Sequence, residues 1–179
     1  MTDIVVVYHS GYGHTQRMAQ AVAQGAGARL LAIDAEGNLP AGGWEQLKAA
    51  DAIIFGSPTY MGSVSWQFKK FADASSKPWY AQEWKDKIAA GFTNSAGMSG
   101  DKFNVLTTLF TLAMQHGMVW VGQSEMPLQP NGVNRLGSAS GVMAQAGQES
   151  PEEAPSAGDK LTGELFGKRI AGYAVKLKK

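Results

Sequence analysis

The sequence predicts an α/β fold: a doubly wound sheet of five parallel strands with helices on both faces, in a single domain. Two observations carry this. Short β-rich runs alternate along the chain with stretches of helical periodicity, the order that a parallel sheet covered on both faces requires. The first run, Ile4-Val5-Val6-Val7-Tyr8, ends in Ser10-Gly11-Tyr12-Gly13-His14-Thr15, and a helical stretch follows at once. Ligands of such sheets bind outside the carboxyl ends of the strands, near the switch point beside the first strand.

In chain order, strands are expected at residues 3–9, 29–34, 52–56, 87–92 and 118–122. The helices between and after them are expected at residues 15–24, 44–50, 65–74, 102–115 and 160–177. The last helix is the clearest, with Phe166, Ile170, Tyr173, Ala174 and Leu177 on one face at spacings of three and four. The fourth is apolar on most sides (Val105, Leu106, Leu109, Phe110, Leu112, Ala113), as expected of a helix packed on the sheet and on another subunit. Residues 35–43 and 147–158, rich in Gly, Pro and acids, read as flexible connections. Lys176, Lys178 and Lys179 suit the negative end of the final helix.

The first loop has the chemistry of an anion site. Free N–H groups of the first helical turn and the positive end of the helix dipole point at one spot. Ser10 and Thr15 add hydroxyl donors, and Gly11 and Gly13 let the backbone close around a phosphate. No lysine or arginine sits in the loop, the Gly-Lys-Ser/Thr ending of a triphosphate loop is missing, and G-x-G-x-x-G does not fit. What remains suits one terminal phosphate held by neutral donors, as on a mononucleotide such as FMN. A polar turn that merely caps a helix is the alternative reading of this loop alone.

Composition narrows the function. Of 179 residues, 44% are hydrophobic and 17% charged, an ordinary globular balance. Sixteen basic against 15 acidic residues give a net charge of +1, with no basic cluster to attract nucleic acid. The chain has no cysteine, which excludes disulfides, thiolate catalysis and iron–sulfur ligation. There is no charged and apolar leader, and no apolar run approaches the roughly 18 residues of a membrane span, so a soluble, cytoplasmic protein without a membrane partner is expected.

Two further strand ends carry matching residues. The third strand runs into Gly56-Ser57-Pro58-Thr59-Tyr60-Met61-Gly62-Ser63, and the fourth into Thr93-Asn94-Ser95-Ala96-Gly97-Met98-Ser99-Gly100. A flat heterocycle needs apolar or aromatic faces and backbone donors and acceptors around its polar edge. Tyr60 and Met61 offer the first, and the backbone around Gly97 the second. Each loop alone could be a plain connection. Three at one sheet edge form a site.

Taken together, Ser-Gly-Tyr-Gly-His-Thr (10–15), Ala-Ile-Ile-Phe-Gly-Ser-Pro-Thr-Tyr-Met-Gly (52–62), Thr-Asn-Ser-Ala-Gly-Met (93–98) and Gln115-His116-Gly117-Met118-Val119 resemble the flavodoxin-like FMN proteins. The similarity is greatest to the WrbA-type NAD(P)H:quinone oxidoreductases and runs from the first strand to residues 171–177. The resemblance implies the strand order 2-1-3-4-5 and an FMN site. In it Ser10, Gly11, Tyr12, Gly13, His14 and Thr15 take the phosphate, and Pro58, Thr59, Tyr60, Met61 and Gly62 flank the isoalloxazine. Thr93, Asn94, Ser95, Ala96, Gly97, Met98 and Ser99 line its other edge. It also implies that His116 contacts the flavin site, that Tyr12 lies where the nicotinamide nucleotide docks, and that Trp79 borders the quinone substrate. No metal and no catalytic acid or base is implied, because the flavin performs the hydride chemistry. In such proteins neighbouring subunits complete the pocket, so a homodimer or homotetramer is expected.

Two departures from the resemblance stand out. The stretch after the second strand, residues 35–43, is shorter than usual, which bears on subunit contacts. Met98 and Ser99 stand where glycines are common. Residues also have plainer readings: His14 as an exposed turn residue, His116 as a helix-end cation, and Trp79 as a packing or interface residue. Among other functions, a one-electron flavodoxin carrier would be strongly acidic, whereas the isoelectric point here is about 7.9. A response-regulator-like domain lacks its clustered acids, since Ser10, Gly11, Ser57 and Pro58 hold those places. A serine hydrolase lacks its G-x-S-x-G elbow. A non-catalytic FMN-binding scaffold stays open.

Overall fold

Strand β1 (Ile4–Tyr8) is buried at every position and pairs in parallel on both sides, with β2 and with β3. Its alternating side chains therefore enter two different cores. The computed structural model describes residues 2–178. In chain order β1 is followed by α1 (His14–Ala26), β2 (Arg29–Ala32), α2 (Gly43–Ala49), β3 (Ala52–Tyr60) and the short β4 (Ser63–Val64). Then come α3 (Trp66–Ala74), α4 (Ser76–Tyr80), β5 (Ile88–Ser95), α5 (Lys102–Gln115), β6 (Val119–Trp120), β7 (Val142–Gln145) and α6 (Ala157–Leu177).

The sheet path is β2-β1-β3-β5-β6, with β4 antiparallel on β3 and β7 parallel on β5. This is the expected parallel order, with one correction. The fifth strand position is filled by two pieces: β6 pairs with Ile88 and Ala89, and β7 with Phe92 to Ser95. After Val121, whose N–H still reaches Ala89 O of β5 at 2.8 Å, the chain leaves the sheet and folds on itself before β7. The Asn134 amide donates to the carbonyls of Glu125 (2.7 Å) and Ser138 (3.0 Å) and accepts the Ser138 N–H.

Val6, Tyr8, Ile54 and Phe92 face α1 and α6 and pack with Met18, Val22, Phe166 and Ile170. Val5, Val7, Ile53 and Phe55 face the other helices and pack with Leu47, Phe68, Phe71, Trp84 and Leu109. Helices α1 and α6 approach so closely that a Cβ at Gly167 would collide with the backbone of Val22 and Ala26. The final helix buries Phe166, Ile170 and Ala174 as expected, but Leu177, in its last turn, is 53% exposed. Lys176 lies in its last turn, Lys178 pairs with Asp51 at 2.7 Å, and Lys179 lies outside the described residues.

Strands β3 and β5 run longer than the sequence pattern suggests. Their polar ends remain in the ladder, with Ser57 opposite Thr93 and Pro58 opposite Asn94. Hydrogen bonding there replaces apolar packing: the Ser57 hydroxyl donates to the Pro58 carbonyl (2.9 Å) and accepts the Ser65 N–H (3.1 Å). Thr59 and Thr93 hydroxyls meet at 2.8 Å. The residues expected in loops are thus held on rigid strand ends at the carboxyl edge of the sheet.

Candidate functional site

At that edge lies a cleft of about 600 Å³, within the range of small-molecule sites. It is lined from the first loop by Tyr12, His14 and Thr15, from β3 by Pro58, Thr59 and Tyr60, and from the end of β5 by Asn94, Ser95 and Ala96. The fourth wall is residues 146–151 after β7, of which the sequence marks 147–151 only as part of a flexible connection. The one weak signal in the sequence is the short apolar run Val142-Met143-Ala144 followed closely by Gly147, too brief to mark a strand by periodicity.

The first loop is built for an anion. Ser10 Oγ accepts the N–H groups of Gly13 and Gln16, each at 3.1 Å, and so shapes the turn rather than pointing at the cleft. Gly13 precedes the helix with φ of 88°, a left-handed conformation that suits glycine. The N–H groups of His14 and Thr15 have no acceptor among the described residues. Thr15 is 2% exposed and lines the cleft. The opposite side chain of the loop, Tyr12, is 76% exposed at the cleft mouth, edge-on to Tyr60 with 6.1 Å between ring centres. A Cβ at Gly11 would meet the Tyr60 hydroxyl at 2.5 Å, so glycine there lets the aromatic wall close on the loop. Burial, and secondarily the nearby Tyr12, raises the Tyr60 pKa.

Residues 147–153 strap the first loop from outside. His14 donates from Nε2 to the Glu149 carbonyl at 2.8 Å, Arg17 donates from Nε to the Pro151 carbonyl at 3.0 Å, and Arg17 pairs with Glu152 at 2.9 Å. The Glu149 carboxylate accepts the Gly147 N–H at 2.7 Å, and backbone hydrogen bonds hold its pKa below the usual value. No lysine or arginine lines the cleft. One further polar atom points to a missing partner: Asn94 Oδ1 is buried and unbonded although Asn94 lines the cleft.

Not every expected residue lines this cleft. Met61 and Gly62 form the tight β3–β4 turn, both with positive φ (46° and 77°), and the Met61 side chain is fully exposed. Gly97, Met98 and Ser99 form an exposed rim rather than a wall.

Two further expected residues are not among those lining the cleft of their own chain. His116 and Trp79 lie at the other end of the sheet. Gly117 O accepts the Asp86 N–H at 3.0 Å, just before β5 starts at Ile88, whereas the cleft begins at Asn94, six residues further along the strand and roughly 20 Å away at strand rise. The cause is topology: α5 starts at the carboxyl edge and runs back, and α4 precedes the entry to β5. His116 is 4% exposed, stacked on Trp84 at 4.1 Å, and bonded through Nε2 to the Ser75 hydroxyl at 2.9 Å. Burial lowers its pKa to about 4, so it is a neutral packing residue and not the helix-end cation. Trp79, in α4, is 45% exposed and does not line the cleft of its own chain.

Among known proteins, the family described as NADPH-dependent FMN reductase matches residues 43–130. The chain is 48% identical over 176 residues to "Flavodoxin FldP" of Pseudomonas aeruginosa (strain UCBPP-PA14), covering 96% of each protein. It is 31% identical over 204 aligned positions to an "NAD(P)H dehydrogenase (quinone)" of Geobacter sulfurreducens, covering 98% of each. That alignment is longer than the chain itself, so the relative carries insertions. Among solved structures, a flavodoxin, WrbA-like protein from Agrobacterium tumefaciens superposes with a TM-score of 0.84 at 54% identity. It covers 99% of this chain and all of that one. Among the described residues no helix is long and apolar enough to cross a membrane.

Proposed function

The chain belongs to the WrbA-type flavodoxin-like proteins, and on that premise we propose that it reduces quinones by two electrons at the expense of NAD(P)H. In the broader sense it is an FMN-dependent NAD(P)H oxidoreductase acting on small molecules. Bound FMN supplies the hydride acceptance and donation, so the chain needs no acid or base of its own for that step. The single observation that carries the cofactor assignment is the match between donors and cleft. The N–H groups of His14 and Thr15, at the start of α1, have no acceptor among the described residues and suit an anion at one end of the cleft, and the buried, unbonded Asn94 Oδ1 suits a polar partner at the other.

In this reading Ser10 shapes the phosphate turn, Gly11 and Gly13 let it close, and Thr15 and the α1 N-terminus bind the phosphate. Thr59 and Tyr60 flank the flavin ring, and Asn94, Ser95 and Ala96 meet its other side. Tyr12, exposed at the mouth, offers the face on which the nicotinamide nucleotide docks. The chain forms a homo-oligomer. Trp79, remote from its own cleft, then borders the quinone site of a neighbouring subunit.

The test is stopped-flow mixing of FMN-loaded protein with NADH and with NADPH, followed by benzoquinone. Bleaching of the flavin by either nucleotide and reoxidation by quinone, with ping-pong steady-state kinetics, is the expected result. A second reading, a one-electron carrier, is favoured by the flavodoxin name of the Pseudomonas relative. Failure of both nucleotides to bleach the flavin, with ready reduction by a reductase, would establish it instead.

A further inference from the structure

We propose that Lys102 is a positioning residue for the polar edge of the flavin: it draws the carbonyls of Gly97 and Met98 into the protein and so turns the N–H groups of the β5–α5 loop outward. The inference rests on the assignment of FMN to the cleft. Lysine is seldom fully buried without a partner, yet Lys102 has no exposed surface and no carboxylate within ion-pair distance. The nearby carboxylate, Asp159, is already held by Arg135 through Nε and Nη2, both at 2.8 Å. The Lys102 ammonium donates instead to the Gly97 carbonyl, and to the Met98 carbonyl at 3.1 Å.

A third carbonyl is held in the same way. Gln145 Nε2 donates to Ala96 O at 2.9 Å, and Gln145 is itself fixed by Asp159, which accepts its backbone N–H at 3.0 Å. The two ends of a trans peptide point in opposite directions across its plane. With the carbonyls of Ala96, Gly97 and Met98 turned inward, the N–H groups of Gly97, Met98 and Ser99 face away. None of these donors has an acceptor among the described residues, and all three residues are exposed. Successive N–H groups backed by an ammonium make a partly positive concavity, suited to the carbonyl and ring-nitrogen acceptors of a flavin. Charge gained on reduction would be stabilised there, which raises the midpoint potential.

The experiment compares wild-type, Lys102→Met and Thr15→Ala proteins by fluorescence titration with FMN and with riboflavin, which lacks the phosphate, with circular dichroism to verify the fold. Lys102→Met should weaken both flavins by the same factor, about tenfold or more, and lower the two-electron midpoint potential. Thr15→Ala should weaken FMN alone. Equal riboflavin binding by wild-type and Lys102→Met overturns the inference while leaving the FMN reading intact. Wild-type protein that binds neither flavin defeats the FMN reading itself.

Should Lys102→Met not fold, Gln145→Met releases Ala96 from the surface side. It should weaken both flavins by a smaller factor, and unchanged binding there also overturns the inference. Burial lowers the Lys102 pKa to about 8, opposed by Asp159 from α6 and assisted by Arg135 from the 121–141 segment. Flavin affinity of the wild type should therefore fall as pH rises through about 8, and the fall should be absent in Lys102→Met. The same profile in both proteins counts against the role.

Discussion

His14 Nε2 and the backbone oxygen of Glu149 meet at 2.8 Å across 135 positions of sequence, which ties the segment after β7 to the loop after β1. The contact closes the outer side of the phosphate turn. His14→Ala removes one hydrogen bond of about 0.5–1.5 kcal/mol, so FMN should leave about two- to tenfold faster. Dissociation followed by flavin fluorescence after dilution measures this. An unchanged rate would mean that the strap does not restrain the cofactor.

Thr15→Ala tests the phosphate site. The hydroxyl bond to a phosphate is charge-assisted, and such bonds contribute about 1.5–3 kcal/mol, so FMN affinity should fall tenfold or more. Equal FMN affinity in the titration would show that the loop only caps a helix.

His116 should make stability depend on pH. Its folded-state pKa is lowered by burial to about 4, while an unfolded histidine titrates near 6.5. Below about pH 6.5 the unfolded chain takes up a proton that the folded one refuses, so stability falls as pH drops towards 4. The loss should be on the order of 3 kcal/mol by pH 4. Buried His9, lowered for the same reason, adds to the slope. Urea unfolding at several pH values reads the effect, and His116→Phe should flatten it without changing FMN affinity. A slope equal to that of the wild type would contradict the burial argument.

Trp79 tests assembly. At 45% exposure beside Tyr80, 86% exposed, it suits an interface or the rim of another chain's pocket. Light scattering should give at least a dimer, and a fully active, FMN-loaded monomer of 19.0 kDa would refute the shared-pocket idea. If Trp79 lines a neighbour's pocket, Trp79→Ala should raise the quinone KM while assembly persists. If it only anchors the interface, the oligomer should dissociate first.

The sequence by itself determined the parallel sheet, because Ile4–Tyr8, Ala52–Phe55 and Ile88–Phe92 are continuous apolar runs too short for helices, suited to strands buried on both faces, and helical patterns alternate with them. It also determined the phosphate turn, where hydroxyl, glycine and helix start are neighbours in the chain and the chemistry is local. Only the tertiary structure decided which distant segments meet there. Residues 146–151 reach the cleft because β7 pairs with β5 after a detour of some 20 residues, and a four-residue strand has too little periodicity to announce itself. His116 and Trp79 carry site-like residue types, but the direction of α5 and the position of α4 place them at the opposite sheet edge. The roles of Lys102 and Gln145 were equally hidden, since a buried lysine reads in sequence like any solvated one until the carbonyls it holds are brought to it by the fold.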